Sequence, residues 1–244
     1  MVRTAINLYS VRELDESTER ILERVADAGY DGVQFSGGFG DATAEEVGDL
    51  LDELDLDVTA PHVGIEDLEE NLEETYADYH DVLGCDGAVV PYLGEEHFES
   101  AEATDETAER LESLAGRLEE RGWTLHYHNH AHEFVDLGET TAFERFIDET
   151  TIGIELDVGW AEVGGADPAE LLRRLGDRAE LVHMKDMDTS VERGFVEIGE
   201  GDVDMRACAD AAREIGSEWL IYEHDEPENP IESIEAGAQF LNGL

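Results

Sequence analysis

The chain has 244 residues with no break in composition, the length of one sizeable domain, and we read residues 1–244 as a single unit. Its 63 acidic and 15 basic side chains give a formal net charge of −48, which makes nucleic acid a poor partner and none is expected, because a phosphate backbone needs Lys and Arg to displace its counterions. Cys85 and Cys208 match no metal or redox spacing and form no disulfide framework, and no apolar run is long enough to span a bilayer. These features predict a cytoplasmic protein that does not engage a membrane. The acids are spread over nearly every predicted helix, as at Glu45-Glu46, Glu73-Glu74 and Glu119-Glu120, so their self-repulsion needs screening by salt and predicts a halophilic protein.

Eight apolar segments rich in β-branched and aromatic residues alternate with charged segments of helical period. In chain order the predicted strands are 5–11, 32–36, 58–63, 87–93, 124–130, 152–158, 181–187 and 219–224. Gly29, Gly84, Gly122 and Gly216 each stand shortly before a strand, where a helix C-cap belongs. Thr43 with Glu46 reads as a capping box, and Asp167-Pro168 and Asn229-Pro230 each place a cap residue before a proline at the first helical position. Eight strand–helix units without a linker predict an α/β fold closed into a single (β/α)₈ TIM barrel of about the usual 250 residues. An open doubly wound sheet would carry a Gly-rich turn after its first strand, and here that turn reads YSVRELDEST.

Each strand begins apolar and ends polar, and seven of the nine histidines fall at those ends. In a barrel the C-terminal strand ends converge on one mouth. Alternation places His126, His128 and His130 on one face of the fifth strand, with Glu133 just beyond. Glu155 and Asp157 share a face of the sixth strand, His183 and Lys185 of the seventh, and Glu223 stands at the same height on the eighth. Carboxylates mixed with imidazole suit a divalent ion such as Mn²⁺, Mg²⁺, Co²⁺ or Zn²⁺, whereas converging acids without a cation would repel one another or be protonated. Glu155 reads either as part of this set or as a structural acid one layer deeper. Lys185 is the only lysine in the chain, which marks its place among these groups.

The segments YHNHAHEF, IGIELDVGWAEVGGADP, LVHMKDMD, EIGEGDVD and IYEHDEP, together with INLYSVRE, ADAGYDGVQF and APHVGIEDLEENLEE, resemble the sugar phosphate isomerase/epimerase family of xylose isomerase-like barrels over essentially the whole chain. The resemblance implies a divalent metal held by residues of the last four strands: Asp157 of ELDVGW, His183 of VHMKD and Glu223 of YEHDE, with Glu133 as the fourth ligand. Many relatives carry a glutamate within the fifth strand where this chain reads HYHNHAHEF, so His128 or His130 stays open as the replacement. A second departure is Gln34, where relatives often have Glu.

A metal-dependent sugar isomerase or epimerase follows as the expected activity, acting on a ketose or keto-polyol through an enediolate. Glu133 and Glu223 would serve as paired acid and base, and Lys185 would stabilise the developing oxyanion. His62, His128, His130 and Trp160 are expected around the small sugar or polyol substrate, with packing the main role of Trp160. The acidic Gly199-Glu200-Gly201 after the seventh strand argues for an unphosphorylated one. A lyase that dehydrates an inosose-like keto-polyol would use the same residues. An abasic-site endonuclease and a non-catalytic sugar-binding barrel rank below both, and a homo-oligomer is left open.

Overall fold

A computed structural model describes residues 2–244. Eight strands, β1 Arg3–Asn7, β2 Gly32–Gln34, β3 Asp57–Val58, β4 Gly87–Val90, β5 Thr124–His128, β6 Gly153–Asp157, β7 Leu181–Met184 and β8 Trp219–Tyr222, form one parallel sheet in the order β3-β2-β1-β8-β7-β6-β5-β4. The sheet curls until its ends meet: the backbone N–H of Val63 donates to Val89 O at 2.9 Å, and that of Val89 donates to Pro61 O at 2.8 Å. The chain therefore forms the expected TIM barrel, with the third strand as its irregular seam.

Helices α1 Thr18–Ala28, α2 Ala44–Leu54, α3 Ile65–Glu70, α4 Leu72–Tyr76, α5 Ala101–Glu119, α6 Ala142–Glu149, α7 Val158–Val163, α8 Pro168–Leu175, α9 Met205–Ile215 and α10 Pro230–Asn242 lie outside the strands. Their buried residues, such as Leu22 and Val25 of α1, Leu111 and Leu114 of α5 and Phe143 and Phe146 of α6, join the strands' outward-facing side chains in the main core. A smaller core of Ala5, Val89, Leu181, Trp219 and Ile221 plugs the barrel interior. Parity does this: along β7, Leu181 and His183 face in, while Val182 and Met184 pack outward.

The cap expectations hold at Thr43, which forms a full capping box with Glu46, at Asp167, whose side chain accepts from Glu170 N, and at Gly29 and Gly216, which end α1 and α9 in the left-handed conformation. Asn229 differs. It precedes Pro230 as expected, but its side chain makes no capping hydrogen bond. The strands also stop earlier than the sequence suggests. Residues Leu8–Val11, read as the end of the first strand, form a 3₁₀ turn capped by Asn7, whose Oδ1 accepts from the Tyr9 N–H at 2.8 Å, so an asparagine inside an apolar run acts as a stop signal. Likewise the third strand pairs regularly only at Asp57–Val58, and His62 returns to the sheet through single bridges to Ser36 and Val89.

Candidate functional site

Above the apolar plug the barrel interior becomes polar in two layers. The lower one is centred on Glu155, whose carboxylate is fully buried. Its Oε2 receives His62 Nε2 at 2.5 Å, His128 Nδ1 at 3.0 Å and His183 Nε2 at 3.1 Å, while Gln34 Nε2 donates to Oε1 at 2.5 Å. Burial alone would raise its pKa, but these imidazoles outweigh it and hold Glu155 well below the usual carboxylate range. Gln34 is locked from the other side by Ala60 O, which accepts from Nε2 at 2.8 Å, so its Oε1 is left to accept from Asn7 Nδ2 at 2.7 Å and to face His183 Nε2 at 2.7 Å.

The upper layer lies at the mouth. Asp157 ends β6 and also caps α7, accepting from Trp160 N at 2.8 Å through Oδ1, and this leaves Oδ2 free to point into the barrel. His128 Nε2 lies 3.8 Å from that oxygen, and His183 Nδ1 lies 2.9 Å from Glu223 Oε2. Lys185 Nζ bridges Asp157 Oδ2 at 3.1 Å, Glu223 Oε2 at 2.9 Å and Asp225 Oδ1 at 2.8 Å. A Cβ added to Gly159 would stand 2.6 Å from the Lys185 carbonyl oxygen, so the glycine of ELDVGW lets the backbone just after β7 pass close to α7.

Burial opposes charge throughout this layer, and the neighbours decide which groups keep it. His183 is raised to about 10 because Glu155 and Glu223 outweigh the desolvation of its ring, whereas for His128 burial wins and lowers the pKa to about 4. Lys185 loses solvation but is held well above its ordinary value by Asp157, Glu223 and Asp225. Asp157 is raised by burial, and Glu223, flanked by Lys185 and His183, is lowered.

One ligand atom each from His128, Asp157, His183 and Glu223 lies within 4.8 Å of the others, the spacing that a single cation can bridge. The donor set, two imidazoles and two carboxylates, fits a borderline divalent ion. Asp157 Oδ2 accepts no well-aligned hydrogen bond despite its complete burial, and a cation would satisfy it. His62, His128, Glu155 and His183 form a second group of the same spacing below.

The expected site residues separate accordingly. Asp157, His183, Glu223, Lys185 and His128 come together. Glu133 is fully buried on a 3₁₀ turn, His132–Phe134, accepting from Tyr127 Oη at 2.6 Å and from His130 N at 2.8 Å; it belongs to neither group. His62 sits in the lower layer. His130 and Trp160 face one another at 5.7 Å between ring centroids, with Lys185 Nζ 5.1 Å from the Trp160 ring, so both line the mouth. Asn129, buried on the opposite face, ties β5 to β6 by accepting from Asp157 N at 2.9 Å. Sequence reasoning undervalued Asp186: its carboxylate receives the backbone N–H groups of Gly199, Gly201 and Val203 at 2.8, 3.0 and 3.3 Å. The signal was present, since a glycine at 201 is what allows a carboxylate to approach: a Cβ there would lie 2.2 Å from Asp186 Oδ1.

The sequence signature of the xylose isomerase-like TIM barrel matches residues 22–244. The chain belongs to the xylose isomerase-like TIM barrel family. Within that family it is 29% identical over 191 residues to an inosose dehydratase of Geobacillus kaustophilus (strain HTA426), spanning 69% of this chain and 62% of that protein's length. Among solved structures, a sugar phosphate isomerase/epimerase from Parabacteroides distasonis ATCC 8503 superposes with a TM-score of 0.81 at 23% identity, covering 99% of this chain and 94% of that one. The probable 3-DHS dehydratase AsbF of Bacillus anthracis gives 0.79 at 15% identity, covering 99% of each chain. These xylose isomerase-like barrels include both isomerase/epimerase and dehydratase members, and the structural likenesses establish the shared fold.

Proposed function

We propose that this protein is a metal-dependent enzyme that removes a proton beside the carbonyl of an unphosphorylated keto-polyol and expels a neighbouring hydroxyl as water. The observation that carries the reading is the convergence of His128, Asp157, His183 and Glu223 around the single lysine of the chain. A divalent cation held by these four residues would supply Lewis acidity to a carbonyl and its adjacent hydroxyl, acidifying the C–H between them. Glu223, ionised and at the mouth, accepts that proton. As the β C–O bond breaks, Lys185 Nζ delivers a proton to the departing oxygen; the new double bond takes up the electrons of the broken C–H bond, and water leaves. Asp157 and Asp225 hold the ammonium in place, and His130 and Trp160 bound the space above it.

Two features favour elimination over epimerisation. Epimerisation needs an acid and a base on opposite faces of the substrate, and the expected partner of Glu223, Glu133, has a hydrogen bond on each carboxylate oxygen and stands outside the cluster. The inosose dehydratase likeness supports the same outcome. Epimerisation is the second reading, supported by the sugar isomerase/epimerase fold relatives and requiring His128 as the second group. Asp186 supports an unphosphorylated substrate: the backbone N–H groups after β7, a region where many barrels cradle a phosphate, already hold this internal carboxylate.

Incubating the Mn²⁺- or Co²⁺-loaded protein in D₂O with an inosose and, separately, with ketohexoses tests this. Loss of water from the inosose is expected. A C3-inverted, deuterated ketose with an intact inosose would replace the first reading by the second, and no proton exchange in either substrate would overturn both.

A further inference from the structure

We propose that Glu155 is a positioning residue: from the layer beneath the mouth, its one carboxylate holds a proton on Nδ1 of His128 and on Nε2 of His183 and so turns the opposite nitrogen of each ring toward the cation site. It rests on the reading that His128, Asp157, His183 and Glu223 hold the metal, but concerns a residue outside that set.

A leucine or valine would fill the interior of a barrel at far less electrostatic cost than a carboxylate, because a buried charge is tolerated only when it is fully paired. Glu155 is paired to that degree. Three imidazole nitrogens converge on Oε2, at 2.5 Å from His62, 3.0 Å from His128 and 3.1 Å from His183, and Gln34 supplies Oε1. A carboxylate can only accept, so each nitrogen facing it must be the protonated one. For His128 this places the proton on Nδ1 and directs the Nε2 lone pair at Asp157 Oδ2, 3.8 Å away.

For His183 the constraint is doubled. Its Nε2 faces Glu155 Oε2 and also Gln34 Oε1 at 2.7 Å, and the Gln34 amide cannot turn over, because its Nε2 donates to Ala60 O as well as to Glu155. Nδ1 is then the nitrogen left facing Glu223, at 2.9 Å, and the one able to exchange its proton for a cation. Gln34, the departure from the glutamate of many relatives, thus completes the acceptor set beneath His183: a second carboxylate here would stand against Glu155. Carboxylates behind metal-binding imidazoles commonly fix the ring and raise its basicity. Here one carboxylate serves two rings, and His62, whose Nδ1 lies 3.4 Å from Asn7 Nδ2, buttresses it from the third strand.

Long-range proton–nitrogen correlation spectra of the metal-free protein, with His128 assigned by a His128→Gln variant, test the idea with no cation present. The wild type is expected to carry the His128 proton on Nδ1. In Glu155→Leu the proton should move to Nε2, toward Asp157, the acceptor that remains, and Co²⁺ affinity by titration should fall roughly 10–100-fold. Glu155→Gln keeps one accepting oxygen and should recover the tautomer and part of the affinity, which a role in packing alone would not predict; it also provides the test if the leucine variant does not fold. A wild-type His128 protonated at Nε2, or a tautomer and affinity unmoved by either substitution, would overturn the proposal. So would a second equivalent of Co²⁺ lost with Glu155, which would make it a ligand. Wild-type protein that shows the expected tautomer yet binds no divalent cation would instead sink the metal-site reading and leave the positioning role standing.

Discussion

The two polar layers inside the barrel are built from the same residue types and differ in completeness. Around Glu155 every carboxylate oxygen meets N–H donors, from His62, His128, His183 and Gln34. Two residues further along the same strand, Asp157 Oδ2 has the Lys185 ammonium at 3.1 Å and His128 Nε2 at 3.8 Å but no well-aligned donor, and Asp225 Oδ1, beside the same ammonium, also has none. A satisfied layer resists rearrangement, whereas an under-satisfied one has capacity for a ligand. The contrast teaches that burial and charge alone do not mark a candidate metal ligand; an acceptor left without an aligned donor, as at Asp157 Oδ2, is the added signal.

Several measurements can break or sharpen that contrast. The largest effect is expected for Asp157→Ala and His183→Ala, each of which should lose bound divalent metal beyond the roughly 10–100-fold that removal of an outer partner costs; full occupancy by metal analysis in both would erase the distinction between the layers. Lys185→Met should lower turnover roughly 10²–10⁴-fold, as expected for removing a positioned general acid, yet tighten metal binding because a competing cation has gone. Parallel kinetics and Co²⁺ titration read both halves, and weaker metal binding would contradict the competition.

His126, buried on β5 below both layers, should make stability depend on pH. Burial lowers its pKa from 6.5 to about 4 and outweighs the pull of Glu155. Between those values the unfolded chain binds a proton that the folded one refuses, so stability present above pH 6.5 is lost as pH falls through about 4, by about 3 kcal/mol. Urea unfolding of the wild type and His126→Leu across this range should show the slope diminished in the variant. Glu133→Ala should cost about 1–3 kcal/mol of stability by leaving Tyr127 Oη unpaired, while Co²⁺ affinity stays unchanged. A large drop in affinity would return Glu133 to the metal site.

The smallest effects belong to the surface. Exposed pairs such as Arg20–Glu23 and Arg213–Asp210 contribute about 0.5 kcal/mol or less each and cannot offset a formal net charge of −48. Screening should therefore stabilise the fold more than any single pair, and a melting temperature that does not rise from low to molar salt would remove the case for halophilic adaptation.

Much of this was legible in the sequence. The alternation of apolar segments with charged helical ones, the capping box at Thr43 and Glu46 and the glycines before the strands are local signals, and the barrel follows from their repetition. The polar strand ends named Asp157, His183, Glu223 and Lys185, because parity along a strand is itself local. Less accessible was the vertical order of the side chains. His62 and Glu155 could be assigned to the interior, but their descent into a closed lower layer depends on strand stagger, which brings residues from the second, third, fifth, sixth and seventh strands to a common height.

Sequence alone thus determined the architecture and the chemistry available at the mouth, since periodicity and residue type suffice for both. Only the tertiary structure decided which groups are already satisfied. Glu133 is next to the fifth strand in sequence, yet Tyr127 and the His130 backbone claim it, while the His128 ring lies with Nε2 3.8 Å from Asp157 Oδ2. A hydrogen-bond partner is chosen by distance and direction in space, and neither is written in the spacing along the chain.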